Sequence, residues 1–357
     1  MSKSKPANYA KIVTICLSAG FQKTALTGPL VLGDVNRLAQ TRNDAAGKGV
    51  NVARVLTQLG KPVLALGQGG SNQAELIALA KRDGVQLNLV ASSQPLRQCS
   101  TIVELEFAID GDKPIHAEGI PEDGRVLRVT ELIEPSNLVD IELPGIFREV
   151  YTHEIEKAGI VVISGSMAPG FPVDYFEKLV KIAHKKHIPV ILDIRGEELL
   201  AVLRENTGIV KINLSEFTRT FMLPIASKIE QMELGEGNDH LGPVHETLAD
   251  LTEDQETIFI VTRGPLPVLV ARNGETTEIP VPRISPRDLV NPIGSGDAFS
   301  AGMAAVLSRQ SGQTSLSEIS AELLSEAVRF GIACGQSNAR TLRPGWLESS
   351  FIESNKS

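Results

Sequence analysis

Residues 291–309 read NPIGSGDAFSAGMAAVLSR, so two glycines and a carboxylate stand directly before a helical pattern of small and apolar residues. Glycines let backbone N–H groups converge, and the start of the following helix adds partial positive charge. The pattern predicts an anion hole made by Gly294, Ser295 and Gly296, with Asp297 beside it as the base for an attacking hydroxyl. A plain strand-to-helix turn, with Asp297 favourably placed in the first helical turn, explains the same residues equally well. The spacing matches neither the Walker A nor the G-x-G-x-x-G nucleotide fingerprint.

The composition around this motif is that of one large α/β domain. Of the 357 residues, 42% are hydrophobic and 4% are aromatic, so aliphatic side chains must fill a sizeable core. The net charge is −8 with no block of Lys or Arg, which argues against a nucleic-acid surface and a polybasic membrane anchor. The first residues contain no run long enough for a signal peptide, and Cys16, Cys99 and Cys334 have no metal-type spacing. These features predict a soluble cytoplasmic protein.

Short apolar runs alternate with helical patterns along most of the chain. Continuous apolar strands separated by helices indicate a mostly parallel sheet covered by helices on both faces, with ligands beyond the carboxyl ends of the strands. The predicted strands are 12–17, 63–66, 160–164, 190–193, 209–212 and 258–262, and the predicted helices are 49–59, 73–82, 174–184 and 214–221.

Four stretches depart from this alternation. Residues 25–45 and 96–120 alternate apolar and polar positions without a helix, which predicts exposed antiparallel strands that form a small sheet over the ligand site as a lid. The mixed pattern of 125–157 predicts no definite element. Residues 228–256 are polar and rich in Gly and Glu, which favours a surface excursion.

A second glycine-rich stretch, AAGKGVNVARVLTQLG at 45–60, also leads directly into a helical pattern. Gly47 and Lys48 at a helix start suit an anionic or oxygen-rich ligand, with the lysine as a point charge. Asn51 on the first turn can donate to and accept from hydroxyl groups. A glycine turn followed by a solvated lysine is the alternative interpretation of the same residues.

Further candidates follow two later strands of the predicted sheet. In VKINLSEF at 210–217, Glu216 could hold Mg²⁺ through water and Asn213 could reach a phosphate. An N-cap role for Asn213 is the simpler explanation of that residue by itself. In VTRGPLPVLVARNGE at 261–275, backbone donors after the strand could take nucleotide phosphates, or the residues could form a plain β-turn.

The order of these motifs resembles the phosphofructokinase-B branch of the ribokinase-like carbohydrate kinases over essentially the whole chain. AAGKGVNVARVLTQLG is similar to the N-terminal signature of that family, and NPIGSGDAFSAGMA is similar to its C-terminal signature. SGSMAPG, LDIRGEEL, VKINLSEF and VTRGPLP resemble the intermediate landmarks in the right order. The NVAR sequence and Arg97 in LRQCSTI are more similar to the 1-phosphofructokinase and tagatose-6-phosphate kinase group than to ribokinase.

The resemblance implies a single ribokinase-like, Rossmann-type kinase domain over residues 1–357, with a small β-sheet lid from about 25–45 and 96–120. It implies transfer of the γ-phosphoryl group of ATP, bound with Mg²⁺, to a hydroxyl of a sugar phosphate, and it is compatible with a homodimer formed through the lid. The resemblance implies that Asp297 is the base and that the anion hole consists of Gly294, Ser295 and Gly296. It implies that the Mg²⁺–phosphate shell contains Asn213 and Glu216, with Glu216 acting through water. It further implies that the nucleotide is contacted by Lys211, Thr262 and Gly264, and the sugar phosphate by Gly47, Lys48, Asn51 and Arg97.

The sugar half of the pattern departs from the family. Gln22 stands where an Asp that binds sugar hydroxyls is usual, and Ile194 and Arg195 replace a Thr-Ser pair. Asp34 in the lid segment is an alternative source of the missing carboxylate. Two other functions therefore stay open: a non-catalytic ligand-binding or regulatory protein on the same fold, and a kinase for an unphosphorylated sugar or nucleoside, which Lys48 and Arg97 disfavour.

Overall fold

In the computed structural model of the protein, the structure describes residues 10–106, 125–205, 208–223, 241–253, 256–309 and 316–355. Within them, thirteen strands are β1 (Lys11–Cys16), β2 (Gly20–Thr27), β3 (Gln40–Ala46), β4 (Val63–Gln68), β5 (Leu87–Val90), β6 (Arg97–Leu105), β7 (Val126–Leu132), β8 (Ala158–Ser164), β9 (Val190–Asp193), β10 (Ile209–Asn213), β11 (Ile258–Arg263), β12 (Leu266–Arg272) and β13 (Glu275–Ile279). The α-helices in the same residues are α1 (Lys48–Gln58), α2 (Gln73–Arg82), α3 (Leu143–Glu154), α4 (Tyr175–His184), α5 (Gly196–Val202), α6 (Leu214–Thr220), α7 (Gly242–Thr252), α8 (Ser295–Leu307), α9 (Ala321–Ala339) and α10 (Ser349–Asn355).

The main sheet has nine strands in the order β13-β12-β11-β10-β9-β8-β1-β4-β5. Its strands pair in parallel from β11 across to β5, and β12 and β13 extend it in antiparallel fashion. Every predicted strand and helix is present within a few residues of its predicted bounds. The mostly parallel α/β prediction is confirmed.

Successive side chains of the parallel strands pack alternately into two hydrophobic cores, which lie on opposite faces of the main sheet. On β1, Ile12 packs with α1, α8 and α9, whereas Val13 and Ile15 pack with the face covered by α3 to α7. Each strand is therefore apolar at successive positions, because both of its faces are buried.

The small sheet has the order β3-β2-β6-β7, and one of its pairings differs from the prediction. β2 pairs antiparallel with β3, and β6 pairs antiparallel with β7, but β2 and β6 run parallel. The prediction of antiparallel strands was wrong at this pairing. Between β3 and β6 the chain passes through α1, β4, α2 and β5, and this long crossover returns β6 in the direction of β2.

Two predicted segments are only partly described. Residues 107–120 of the second lid stretch lie outside the described residues, and so do 228–240 and 254–255 of the predicted surface excursion. The described part of that excursion, 241–253, is mostly helix α7. The segment without a definite prediction, 125–157, contains β7 and α3. Among the described helices, none has both the length and the apolar character needed to span a bilayer.

Candidate active site

A cavity of about 660 Å³ lies between the carboxyl edge of the main sheet and the small sheet. Lining residues come from the β1–β2 connection, the turn before α1, the small sheet, the ends of β8, β9 and β10, and the start of α8. The predicted site residues that line it are Gln22, Gly47, Lys48, Asn51, Arg97, Lys211, Asn213, Glu216, Gly294, Gly296 and Asp297.

Asp297 lies in the first turn of α8 and is 5% exposed. Asn51 Nδ2 donates a hydrogen bond of 2.8 Å to Asp297 Oδ2. Burial raises the pKa of Asp297 to about 6, Asp193 acts in the same direction, and Lys48, Asn51 and Lys211 oppose them. The carboxylate is thus a base that titrates near neutral pH and faces a cavity.

The start of α8 carries the predicted anion hole. Gly294 is the N-cap in the left-handed conformation, with φ of 86°. At Gly296, a Cβ atom would lie 2.6 Å from Lys211 Nζ, so only glycine lets the ammonium approach the helix start this closely. The first N–H groups of a helix have no acceptor inside it. Backbone donors and a lysine therefore meet at this end of the cavity.

Asp193, the last residue of β9, belongs to this centre although the sequence interpretation assigned it no role. Its Oδ2 accepts hydrogen bonds from Lys211 Nζ at 3.0 Å and from Ser300 Oγ at 3.3 Å. Burial acts to raise the pKa of Asp193, but the charges of Lys211 and Lys48 hold it below its ordinary value. A carboxylate at the carboxyl end of a predicted parallel strand was the signal available in the sequence.

Lys48 lies at the Asp297 end of the cavity. Its Nζ is 3.4 Å from Asp193 Oδ1 and 4.0 Å from Glu216 Oε1. The Asp193 charge raises the pKa of Lys48, and partial desolvation opposes this rise. The ammonium is therefore paired with carboxylates, and its predicted contact with a sugar phosphate stays a prediction.

Asn213 and Glu216 form a capping box at the start of α6. Glu216 N–H donates to Asn213 Oδ1 at 2.8 Å, and Asn213 N–H donates to Glu216 Oε2 at 3.5 Å. Both residues also line the cavity, so the cap and the binding interpretations are compatible. Glu216 Oε1 accepts in addition from Arg195 Nη1 at 3.1 Å.

The carboxylates of this cavity fit only one mode of metal binding. In the described part of the chain, no three His, Cys, Asp or Glu side chains cluster closely enough to hold a metal ion by themselves. Mg²⁺ commonly keeps its waters and takes phosphate oxygens plus one or two carboxylates. Glu216, whose side chain is 12% exposed at the cavity, fits that mode.

Arg97 is the first residue of β6 and lines the same cavity. Its Nη2 donates to the Ser18 carbonyl at 3.1 Å and its Nη1 to the Glu134 carbonyl at 3.4 Å. Among the described residues no carboxylate lies within 4.0 Å of this guanidinium. Two neutral carbonyls hold the side chain in place, and its charge is available to an anionic ligand.

Gln22 and Glu131 lie on the cavity face of the small sheet. Gln22 Nε2 donates to Thr101 Oγ1 at 2.9 Å, and Thr101 is the register partner of Glu131 on β7. Desolvation at the cavity raises the pKa of Glu131, and the charges of Arg97 and Lys48 oppose this rise. Asp34 does not line the cavity; it is exposed, and its Oδ1 accepts from the Val35 N–H. Glu131 was missed because no definite element was predicted for its segment, 125–157.

Three predicted residues do not line the cavity. Thr262 is the register partner of Asn213 at the end of β11, and Gly264 follows in the turn after that strand. Ser295 Oγ accepts from Asn338 Nδ2 at 3.3 Å. Their predicted roles at the nucleotide and in the anion hole stay predictions.

Comparison with known proteins agrees with this architecture. The family model described as pfkB family carbohydrate kinase matches residues 22–108 and 146–343. Phosphofructokinase-2 of Escherichia coli in complex with fructose-6-phosphate is 22% identical, with 97% of each chain covered and a TM-score of 0.72. A possible 1-phosphofructokinase of Thermotoga maritima is 19% identical, with 97% of each chain covered and a TM-score of 0.74. Ribokinase of Arabidopsis thaliana complexed with ribose and ATP is 18% identical, with 98% of this chain and 99% of that chain covered and a TM-score of 0.64.

Proposed function

The chain belongs to the pfkB family of carbohydrate kinases, and from that premise we propose that it transfers the γ-phosphoryl group of ATP to a hydroxyl of a sugar phosphate. One observation carries the proposal. A buried carboxylate with a raised pKa, Asp297, and an arginine without an ion-pair partner among the described residues, Arg97, line the same cavity.

In the proposed reaction, Asp297 accepts the proton of the sugar hydroxyl. The hydroxyl oxygen forms a bond to the γ-phosphorus, the bond from that phosphorus to the bridging oxygen of ATP breaks, and ADP leaves. The start of α8 and Lys211 neutralise charge on the transferred group, because phosphoryl transfer needs positioning and charge stabilisation more than covalent chemistry. Mg²⁺, when bound with the nucleotide, would neutralise further phosphate charge, and Glu216 would hold it through water. The small sheet acts as the lid that excludes water from the reacting groups.

Arg97 supports a substrate that already carries a phosphate. A guanidinium fork matches phosphate oxygens, and in the described residues Arg97 donates to two neutral carbonyls rather than to a carboxylate. The relatives in complex with fructose-6-phosphate and with ribose and ATP show that both kinds of ligand occur on this fold. The charge of Arg97 favours the phosphorylated kind for this chain.

Turnover of ATP against a panel of sugars and sugar phosphates tests the proposal. Turnover of phosphorylated sugars only is the expected result. Turnover of unphosphorylated sugars or nucleosides only would contradict the substrate class, and absence of turnover with every compound would favour a non-catalytic binding protein.

The Arg97→Ala variant tests the phosphate contact directly. It should lose roughly 1.5–3 kcal/mol of sugar-phosphate binding, as expected for a charge-assisted hydrogen bond, whereas binding of an unphosphorylated sugar should barely change. Isothermal titration with both ligands measures this. Lys23→Ala is the matched control, since Lys23 follows Gln22 on β2 and lies on the opposite face of the small sheet. Equal loss for both ligands would assign Arg97 a structural role.

A further inference from the structure

We propose that Arg54 is a positioning residue that fixes the orientation of the Asn51 amide, so that Asn51 donates to Asp297. Arg54 lies three residues after Asn51 on α1 and is 1% exposed. Arg54 Nη1 donates to Asn51 Oδ1 at 2.8 Å, and Asn51 Nδ2 donates to Asp297 Oδ2 at 2.8 Å. Arg54 also lines the cavity, but its hydrogen bonds in the described residues do not include one to Asp297, so we expect its effect to pass through Asn51.

The chemistry of the three groups leaves one orientation of the amide. A guanidinium only donates hydrogen bonds, and a carboxylate only accepts them, whereas an amide has one donating and one accepting end. With the amide reversed, Asn51 Nδ2 would face the Arg54 donor and Oδ1 would face the Asp297 carboxylate. Both contacts would then be repulsive in a buried site.

Arg54 is held in place by several hydrogen bonds besides the one to Asn51. Its Nε donates to Asp83 Oδ2 at 3.0 Å, its Nη1 also donates to the Pro344 carbonyl at 3.2 Å, and its Nη2 donates to the Ala45 carbonyl. Arg343 Nη2 donates to Asp83 Oδ2 at 2.7 Å and to Asp44 Oδ1 at 2.7 Å. The orientation of Asn51 is therefore set from the end of α2, from β3 and from the segment after α9.

Removal of Arg54 should change the base rather than the fold of the cavity. The charged groups that act on Asp297 are Lys48 on α1, Asp193 at the end of β9 and Lys211 on β10, and all three would stay in place. A freely rotating Asn51 amide would donate to Asp297 for only part of the time. The carboxylate would then hold its proton to a higher pH.

The test is the pH profile of kcat for Arg54→Met, which keeps an unbranched apolar stem and removes the guanidinium donors. The acidic limb should move upward by about half to one pH unit, and kcat at the limb should fall accordingly. Arg82→Met is the matched control: Arg82 belongs to the same charge cluster, through a hydrogen bond of 2.8 Å to Asp44, but does not contact Asn51. In Arg82→Met, the acidic limb of the kcat profile should stay at the pH found for the parent protein. An unmoved limb in a folded Arg54→Met protein would overturn the proposal.

The Asn51→Ala variant distinguishes an effect of Arg54 through Asn51 from an effect by any other route. In Asn51→Ala, the donor to Asp297 is already absent, so adding Arg54→Met should move the limb no further. An additional shift of the same size would mean that Arg54 acts by another route. If Arg54→Met does not fold, Asp83→Asn weakens the anchor of Arg54 and should move the limb in the same direction; an unmoved limb there also overturns the proposal.

This inference rests on the proposed function, but its failure is distinguishable. The pKa of Asp297 can be read without turnover, from the pH dependence of the difference in unfolding free energy between chains with and without Asp297→Asn. That pKa should rise in the Arg54→Met background even when no substrate is supplied, and an unchanged value would contradict the inference. A chain that turns over no sugar phosphate yet shows the shift would contradict only the proposed function.

Discussion

At the scale of single residues, Asp297 balances two opposing demands. Burial favours its neutral form, whereas a base must be ionised to accept a proton, and the pKa of about 6 places that change just below neutral pH. The lysines and Asn51 prevent a larger rise. The expected acidic limb of kcat therefore lies near pH 6, with activity increasing as the pH rises through it.

The Asp297→Asn variant should keep ATP affinity and lower kcat by about 10²–10⁴-fold, the usual effect of losing a positioned base. Steady-state kinetics on the best substrate and nucleotide titration measure the two quantities. Turnover at the parent rate would show that Asp297 only begins the helix.

The same variant should have a signature in stability. The pKa of Asp297 in the folded state, about 6, lies above its ordinary value of 3.8, so folding favours the proton. The contribution of this group to stability is thus complete below pH 4 and is lost as the pH rises through 6. The free energy of unfolding of Asp297→Asn relative to the parent should grow by about 3 kcal/mol over that interval, at about 1.4 kcal/mol per pKa unit. Urea unfolding at several pH values measures the difference, and a constant difference would contradict the assignment.

At the scale of helices and strands, the sequence predicted the features that depend on a few neighbouring residues and not those that depend on distant ones. Continuous apolar runs such as 160–164 have both faces buried, so each run indicates a parallel strand without reference to its neighbours. The direction of β6 against β2 depends on a crossover of some fifty residues, and no local alternation encodes it. The alternating pattern predicted the strands of the small sheet but not this pairing.

The candidate site likewise contains residues that local motifs predicted and residues that depend on partners elsewhere in the chain. Glycine-rich helix starts at Gly47 and Gly294 are local patterns, and the structure brings both to one cavity. Arg54 and Asp193 act through partners far along the chain, such as Asp83 and Lys211. Their side chains look like ordinary charged residues of a helix and a strand end until the fold brings those partners together.

The lid strands supply the prediction that bears on substrate choice. Gln22 lines the cavity with a neutral amide, whose Nε2 donates to Thr101 Oγ1, where a carboxylate would carry charge and only accept. A mismatch of hydrogen bonding at a buried group costs about 1–3 kcal/mol, or roughly 5- to 150-fold in selectivity. We therefore expect weak activity on fructose 1-phosphate, fructose 6-phosphate and tagatose 6-phosphate. Gln22→Asp should raise kcat/KM for at least one of them.

Two further variants identify the carboxylate that serves the sugar. Glu131→Gln should lower kcat/KM for the preferred substrate about tenfold, because Glu131 is a carboxylate on the cavity face of the small sheet. Asp34→Ala should leave it unchanged, since Asp34 is exposed and does not line the cavity. An unchanged substrate profile for Gln22→Asp beside an inactive Asp34→Ala protein would reverse the assignment.

At the scale of the whole molecule, the connection between β2 and β3 carries apolar side chains that are exposed in the described part of the chain. Val31 is 57% exposed, Leu32 is 93% exposed and Val35 is 79% exposed, all within five positions. Clustered exposed apolar side chains mark interaction surfaces, because scattered ones are the rule on monomers. The connection extends from the two lid strands that carry Gln22 and Asp44.

We accordingly predict that two copies of the chain associate through this connection of the lid. Leu32→Asp should raise the dissociation constant of the dimer at least about tenfold, since a buried charge replaces a buried leucine at the interface. Ile141→Asp is the matched control, because Ile141 is 89% exposed and precedes α3, outside the lid. Sedimentation velocity over a range of concentrations measures the association. A parent protein that stays monomeric at the highest concentration, or equal weakening by both variants, would contradict a lid-mediated dimer.

Since β3 leads from this connection to Asp44 and the turn before Lys48, loss of the dimer should also raise KM for the sugar phosphate in Leu32→Asp and not in Ile141→Asp.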